Sequence, residues 1–118
     1  MRVITINSEL RQINAQNINP NELNIFADSF VKGTSIRQMI DGNNHCIFVS
    51  RDVTNYDTIT GFYFIDRFLQ QPIFGNAVIV QFNGEYVDCE IDISKIEKHV
   101  VFLTASQADC AFNYYYYL

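Results

Sequence analysis

Asn83-Gly84, set between Ala77 to Phe82 and Glu85 to Ile91, constrains the fold of this chain more than any other feature. An Asn-Gly pair readily takes positive φ at both centres of a type I′ turn, whose twist matches the strands it joins. A two-residue loop pairs Phe82 with Glu85, Val80 with Val87 and Val78 with Cys89. Val78, Val80, Phe82, Val87, Cys89 and Ile91 then share one face, and Ile79, Gln81, Tyr86, Asp88 and Glu90 the other. The expected element is a hairpin buried on one side and wet on the other.

A helix is the second strong expectation. In Asn19-Pro20-Asn21-Glu22 an N-cap Asn precedes Pro at the first helical position and Glu at the third. Leu23, Phe26, Ala27 and Phe30 follow at i, i+3, i+4 and i+7, one apolar stripe. Lys32-Gly33 should end it, with Gly in the left-handed position. Arg2 to Asn7, Thr34 to Ile40, His45 to Ser50 and Gly61 to Ile65 read as strands, with a turn at residues 41–44. Residues 8–19 and 51–60 read as loops, and Gln70-Gln71-Pro72 as a break. Ser94-Lys-Ile-Glu97 has capping-box spacing, predicting a helix to about Leu103. The β-branched run His99 to Thr104 could instead be a strand, so residues 99–118 stay open between helix and strand. One domain of 118 residues results, an α+β fold. Its mostly antiparallel sheet has about five to six strands, with one or two helices packed on one face.

Composition narrows the functional classes. The net charge of −5 argues against direct nucleic-acid binding and suits a basic protein partner, solubility or nucleic-acid mimicry. No apolar stretch approaches the roughly 20 residues that span a bilayer. The three Cys are widely spaced without a C-x-x-C, and Met1-Arg2-Val3 leads directly into an alternating segment. A cytoplasmic setting is expected.

Chemistry-bearing motifs are sparse. G-x-S-x-G, H-E-x-x-H and a Gly-rich phosphate loop do not occur, and no Cys or His pair has zinc-ligand spacing. His45 and Cys46, adjacent on a strand, must face opposite ways. No catalytic residue, cofactor or metal is therefore assigned, and an enzyme is not expected. Asp88, Glu90 and Asp92 alternate on the predicted strand, roughly 7 Å apart, where they would form a solvated face or meet a basic surface. Tyr114, Tyr115, Tyr116 and Tyr117 cannot all face one small core. They suit a frayed terminus, a terminal coat over the sheet, self-association or a partner contact. The candidate partner-binding set is thus Tyr86, Asp88, Glu90, Asp92 and Tyr114 to Tyr117.

Met1 to Ile6, Ile73 to Val80, Gly84 to Val87 and Ile93 to Glu97 together resemble a family of small uncharacterised proteins of phages and other mobile elements. The family pattern is a Gly-x-Ala-x-Ile-Val strand, a Gly-Glu-Phe-Val-like strand and a short terminal helix. The likeness covers the first strand and residues 73–103; the Tyr tail lies outside it. It implies a phage or mobile-element setting and transfers no functional residue.

The expected role is a small acidic binding protein acting stoichiometrically, an inhibitor of a host defence or regulatory protein through a basic surface. The alternatives are an immunity protein neutralising a toxin, and a homo-oligomer that sequesters a nucleotide-like molecule. Arg37, Arg51 or Arg67 could clamp a phosphate in that second case.

Overall fold

The computed structural model describes residues 1–40, 44–51, 59–64 and 72–116, with side chains to Tyr114. Strands β1 (Arg2–Asn7), β2 (Gln12–Asn17), β7 (Ala77–Phe82), β4 (His45–Ser50) and β3 (Ser35–Met39) lie side by side in the order β2-β1-β7-β4-β3. The short β8 (Tyr86–Val87) joins the C-terminal half of β7, on the flank that β1 occupies further back. A second sheet orders β6 (Pro72–Phe74), β5 (Gly61–Phe64) and β9 (Val100–Phe102). Every described pairing is antiparallel, and helices α1 (Leu23–Val31), α2 (Ile93–His99) and α3 (Ala105–Tyr116) complete an α+β fold.

Period-two alternation divides the core. Ile4, Ile6, Ile47, Val49, Ala77 and Ile79 face the second sheet and α2, meeting Phe62, Phe64, Ile73 and Ile96. Val3, Cys46, Phe48, Val78 and Val80 face α1, meeting Leu23 and Ala27. β1, β4 and β7 are thus apolar on both faces because both are covered. α1 packs on one face of the main sheet, α2 with the second sheet on the other, and α3 against β6. Among the described residues, no helix is long and apolar enough to cross a membrane.

Helix α1 follows the expected stripe, introduced by a 3₁₀ turn at Pro20–Glu22 that Asn19 caps through the Asn21 N–H at 3.0 Å. Its end differs. Lys32, not Gly33, takes the left-handed conformation (φ 60), and the Gly33 N–H closes the turn onto the Asp28 carbonyl at 3.0 Å. Asp28 also accepts from the Ser35 N–H and hydroxyl, pinning the start of β3 and holding its carboxyl below the ordinary value.

Three other expectations are corrected. The loop assigned to residues 8–19 contains β2, an exposed, polar edge strand. The helix begun near Ser94 has Asp92 as its N-cap and stops at His99. Val100 to Phe102 are instead a strand, because β-branched and aromatic side chains pair across from Phe62 to Phe64. The Asn-Gly hairpin exists, but Phe82 pairs with Tyr86 and Gln81 with Val87, one residue out of the expected register. Only Gly84 (φ 84) has positive φ in this loop, so the turn is not type I′. The shift places Tyr86 on the α1 face beside Phe82 and Phe48, ring centroids 5.0 and 6.4 Å away. Cys89 lands in the cluster on the opposite face.

Candidate functional site

α3 borders a patch of exposed apolar side chains formed by Tyr63, Val101 and Tyr114. The Thr104 N–H donates to the Gln107 side-chain carbonyl at 2.9 Å, and the Gln107 N–H to the Thr104 hydroxyl at 3.1 Å, a reciprocal capping box. So started, α3 buries Ala108 and Phe112, and Phe112 meets Phe74 of β6 edge to face at 5.5 Å. Gly61 of β5 permits the adjoining strand contact: a Cβ there would lie 2.7 Å from the Ile73 carbonyl oxygen. The helix therefore covers the β6 side of the small sheet. Over β5 and β9 no described element covers the same sheet face.

The result is a groove of about 610 Å³ lined by Tyr63, Val101, Leu103, Gln107, Cys110, Ala111 and Tyr114. Tyr63 and Val101 are cross-strand partners and form its floor. Gln107, Cys110, Ala111 and Tyr114 stand at i, i+3, i+4 and i+7 along one stripe of α3 and form its wall. Val101 is 48% and Tyr114 63% exposed, and Tyr63 is also solvent-facing. Among the described residues no charged side chain lines it. Such a surface gains from burying apolar side chains, the Tyr114 and Tyr63 rings among them. Of its lining, the sequence reading named only Tyr114 as a contact residue. The α3 stripe was legible by its spacing; the floor came from two distant strands and was not.

The acidic segment is built differently from the expected strand face. β8 ends at Val87, so Asp88, Glu90 and Asp92 do not share one face of a strand. A clamp from Arg2 holds the segment to β1: its guanidinium donates to the Cys89 carbonyl and, at 3.0 Å, to that of Ile91. Asp88 accepts the Arg2 backbone N–H at 2.8 Å, replacing the β7 partner that β8 has displaced there. Its side chain is still 67% exposed. Glu90 is exposed, and Asp92 caps α2 without a side-chain bond. Tyr86 is half-buried, its hydroxyl accepting from Arg37 at 2.8 Å, while the Arg37 guanidinium lies over the Phe82 ring at 5.3 Å. That hydrogen bond raises the Arg37 pKa. Tyr86 thus belongs to the α1 side and Tyr114 to the groove. α3 runs through Tyr115 and Tyr116; those two side chains and Tyr117 lie outside the described residues.

The remaining reactive groups are dispersed. Cys46 and Cys89 are buried thiols and Cys110 an exposed one. His45 pairs across from Gln81, while Cys46 pairs across from Val80 on the opposite face. His99 stacks on Phe64 at 5.8 Å. Among the described residues no three His, Cys, Asp or Glu side chains gather as a metal site. Arg51 is exposed at the end of β4, and Arg67 lies outside the described residues. No family model matches the chain, and no curated protein or solved structure matches it either.

Proposed function

We propose that this is a binding protein that acts stoichiometrically in the cytoplasm, an inhibitor encoded by a phage or mobile element that occupies the surface of a host defence or regulatory protein. The observation carrying this reading is the convergence of Tyr63, Val101 and Tyr114, three large exposed apolar side chains, on one groove whose described lining is uncharged. Large apolar residues exposed together mark interaction sites more often than those scattered singly. Tyr is also among the residues that dominate binding energy when desolvated.

The mechanism divides between range and contact. The net charge of −5, with Glu90 and Asp88 outward, steers a basic partner during approach. The groove then holds it by burying Tyr114 and Val101. An immunity protein neutralising a toxin would use the same two elements. The alternative of nucleotide sequestration has less support, because Arg37 is already committed to Tyr86 and Phe82.

Binding kinetics test the division. A partner captured from host cells should dissociate at least about tenfold faster from Tyr114→Ala, a loss of roughly 1.4 kcal/mol. Glu90→Lys should instead slow association and flatten its salt dependence. Unchanged dissociation from Tyr114→Ala removes the groove from the mechanism. A thermal shift with cyclic or linear nucleotides, absent from an Arg37→Ala variant, would favour sequestration.

A further inference from the structure

The outer edge of β2 carries an inference independent of the groove. Met1 and Ile18 exchange both backbone hydrogen bonds, N–H to carbonyl at 2.7 and 2.9 Å. In the β1–β2 register, Met1 opposite Ile18 is followed by Arg2 opposite Asn17 and Val3 opposite Gln16. Hydrogen-bonded and non-bonded pairs alternate along an antiparallel ladder, so Gln12, Asn14, Gln16 and Ile18 bond inward to β1. Ile13, Ala15 and Asn17 therefore aim their N–H and C=O groups away from the sheet. No described hydrogen bond reaches those groups, and β2 lies at the end of the strand order.

Sheet edges of this kind are usually blunted by Lys, Pro, a bulge or a covering element. This one is not. Residues 12–21 contain no charge, in a chain of net charge −5, and the only Pro among them follows the strand. The other end of the main sheet carries Arg37 on β3, and β9 of the second sheet has its Phe102 carbonyl capped by Arg11 at 3.3 Å. Five of the six β2 side chains are exposed, and the sixth, Ile13, packs inward against the core.

We infer that β2 is a self-association edge whose occupant is the β2 strand of a second copy, antiparallel about a two-fold axis at Ala15. The outward parity permits this register: Ala15 opposite Ala15, and Ile13 opposite Asn17 on both sides of the axis. Three hydrogen-bonded pairs result, giving six new backbone bonds. Two alanines meet at the centre, where bulk would obstruct closure. Asn14 faces Gln16 across the axis, where their carboxamides can hydrogen-bond, and no like charges lie opposite one another. The pairing is isologous, so it closes at the dimer. An interface this narrow is at the weak end, with an expected Kd of about 10–100 µM.

Sedimentation equilibrium of the full chain across that range should show a monomer–dimer equilibrium. Hydrogen exchange should slow with concentration at the amides of residues 13, 15 and 17. Those of residues 14 and 16, already bonded to β1, should be protected throughout. Ala15→Pro removes an outward N–H while sparing the bonds to β1, and Ala15→Lys sets two ammonium groups face to face. Each should weaken the dimer at least tenfold with residues 14 and 16 still protected. A chain monomeric to about 1 mM, a dimer indifferent to both variants, or open-ended assembly overturns the inference.

Discussion

Replacing Asn76 with alanine should cost the fold about 3 kcal/mol. Asn76 is only 3% exposed and sits where β1, β7 and α1 meet. Its carbonyl accepts the Ser8 N–H at 3.0 Å, and its amide donates to the Phe30 carbonyl at 3.1 Å. Ser8 is buried as well, so its N–H would be left without water or partner, a penalty of about 1–3 kcal/mol. The Phe30 carbonyl is partly accessible and adds about 1 kcal/mol. For a chain of this size the sum lowers Tm by roughly 10–15 °C. Urea unfolding followed by tyrosine fluorescence and circular dichroism reads it directly, with an unchanged m value. A loss under about 1 kcal/mol would refute the reasoning, since an orphaned buried donor should cost at least that.

Asn76→Asp sharpens the test. The carboxylate keeps the acceptor for Ser8 but faces the Phe30 carbonyl with no proton to donate. Burial and that carbonyl raise its folded-state pKa above the unfolded value of about 3.9. The contribution of the protonated form is complete below the unfolded pKa and is lost as pH rises through the folded one. The deficit relative to wild type should therefore shrink on acidification, whereas that of Asn76→Ala should not.

Two further outcomes follow from local geometry. Asp28 has its pKa lowered by the Ser35 hydroxyl and N–H, so its contribution is present above the unfolded carboxylate value and lost as pH falls through the folded one. Asp28→Asn should flatten the acid limb of a stability–pH curve measured by urea titration, and a curve parallel to wild type would count against that role. Thr104→Ala breaks the capping box of α3 and should cost about 1 kcal/mol, with faster amide exchange over the first helical turn. Unaltered exchange at Gln107 would show that the box does not hold the helix start.

The legible parts of the fold are those whose local chemistry and burial agree. In α1, Leu23 and Ala27 are buried with Phe26 and Phe30 half-buried beside them, as the stripe required. The strands flanking residues 41–44 also match. The hairpin was legible in existence but not in register. Pairing Phe82 with Tyr86 brings the Tyr86 ring onto Phe82 and Phe48 and its hydroxyl to Arg37, and these contacts accompany a turn that is not type I′. β2 escaped notice because a polar edge strand lacks apolar alternation; its pairing with β1 is what defines it. The start of α3 was written in Thr104 and Gln107, a spacing as clear as that at Ser94 and Glu97. The groove was not legible, since Tyr63 and Val101 meet only through the pairing of β5 with β9.

Partner capture rests on the groove. Equal amounts of immobilised wild type, Val101→Glu and Ile25→Ser should be exposed to host-cell extract and the captured proteins quantified by mass spectrometry. Val101 lies on the groove floor, where a carboxylate would be desolvated by any partner, while Ile25 is exposed on α1 across the main sheet. One dominant host protein should be retained by wild type and Ile25→Ser and reduced at least tenfold by Val101→Glu. Equal capture by all three chains would contradict the groove's role.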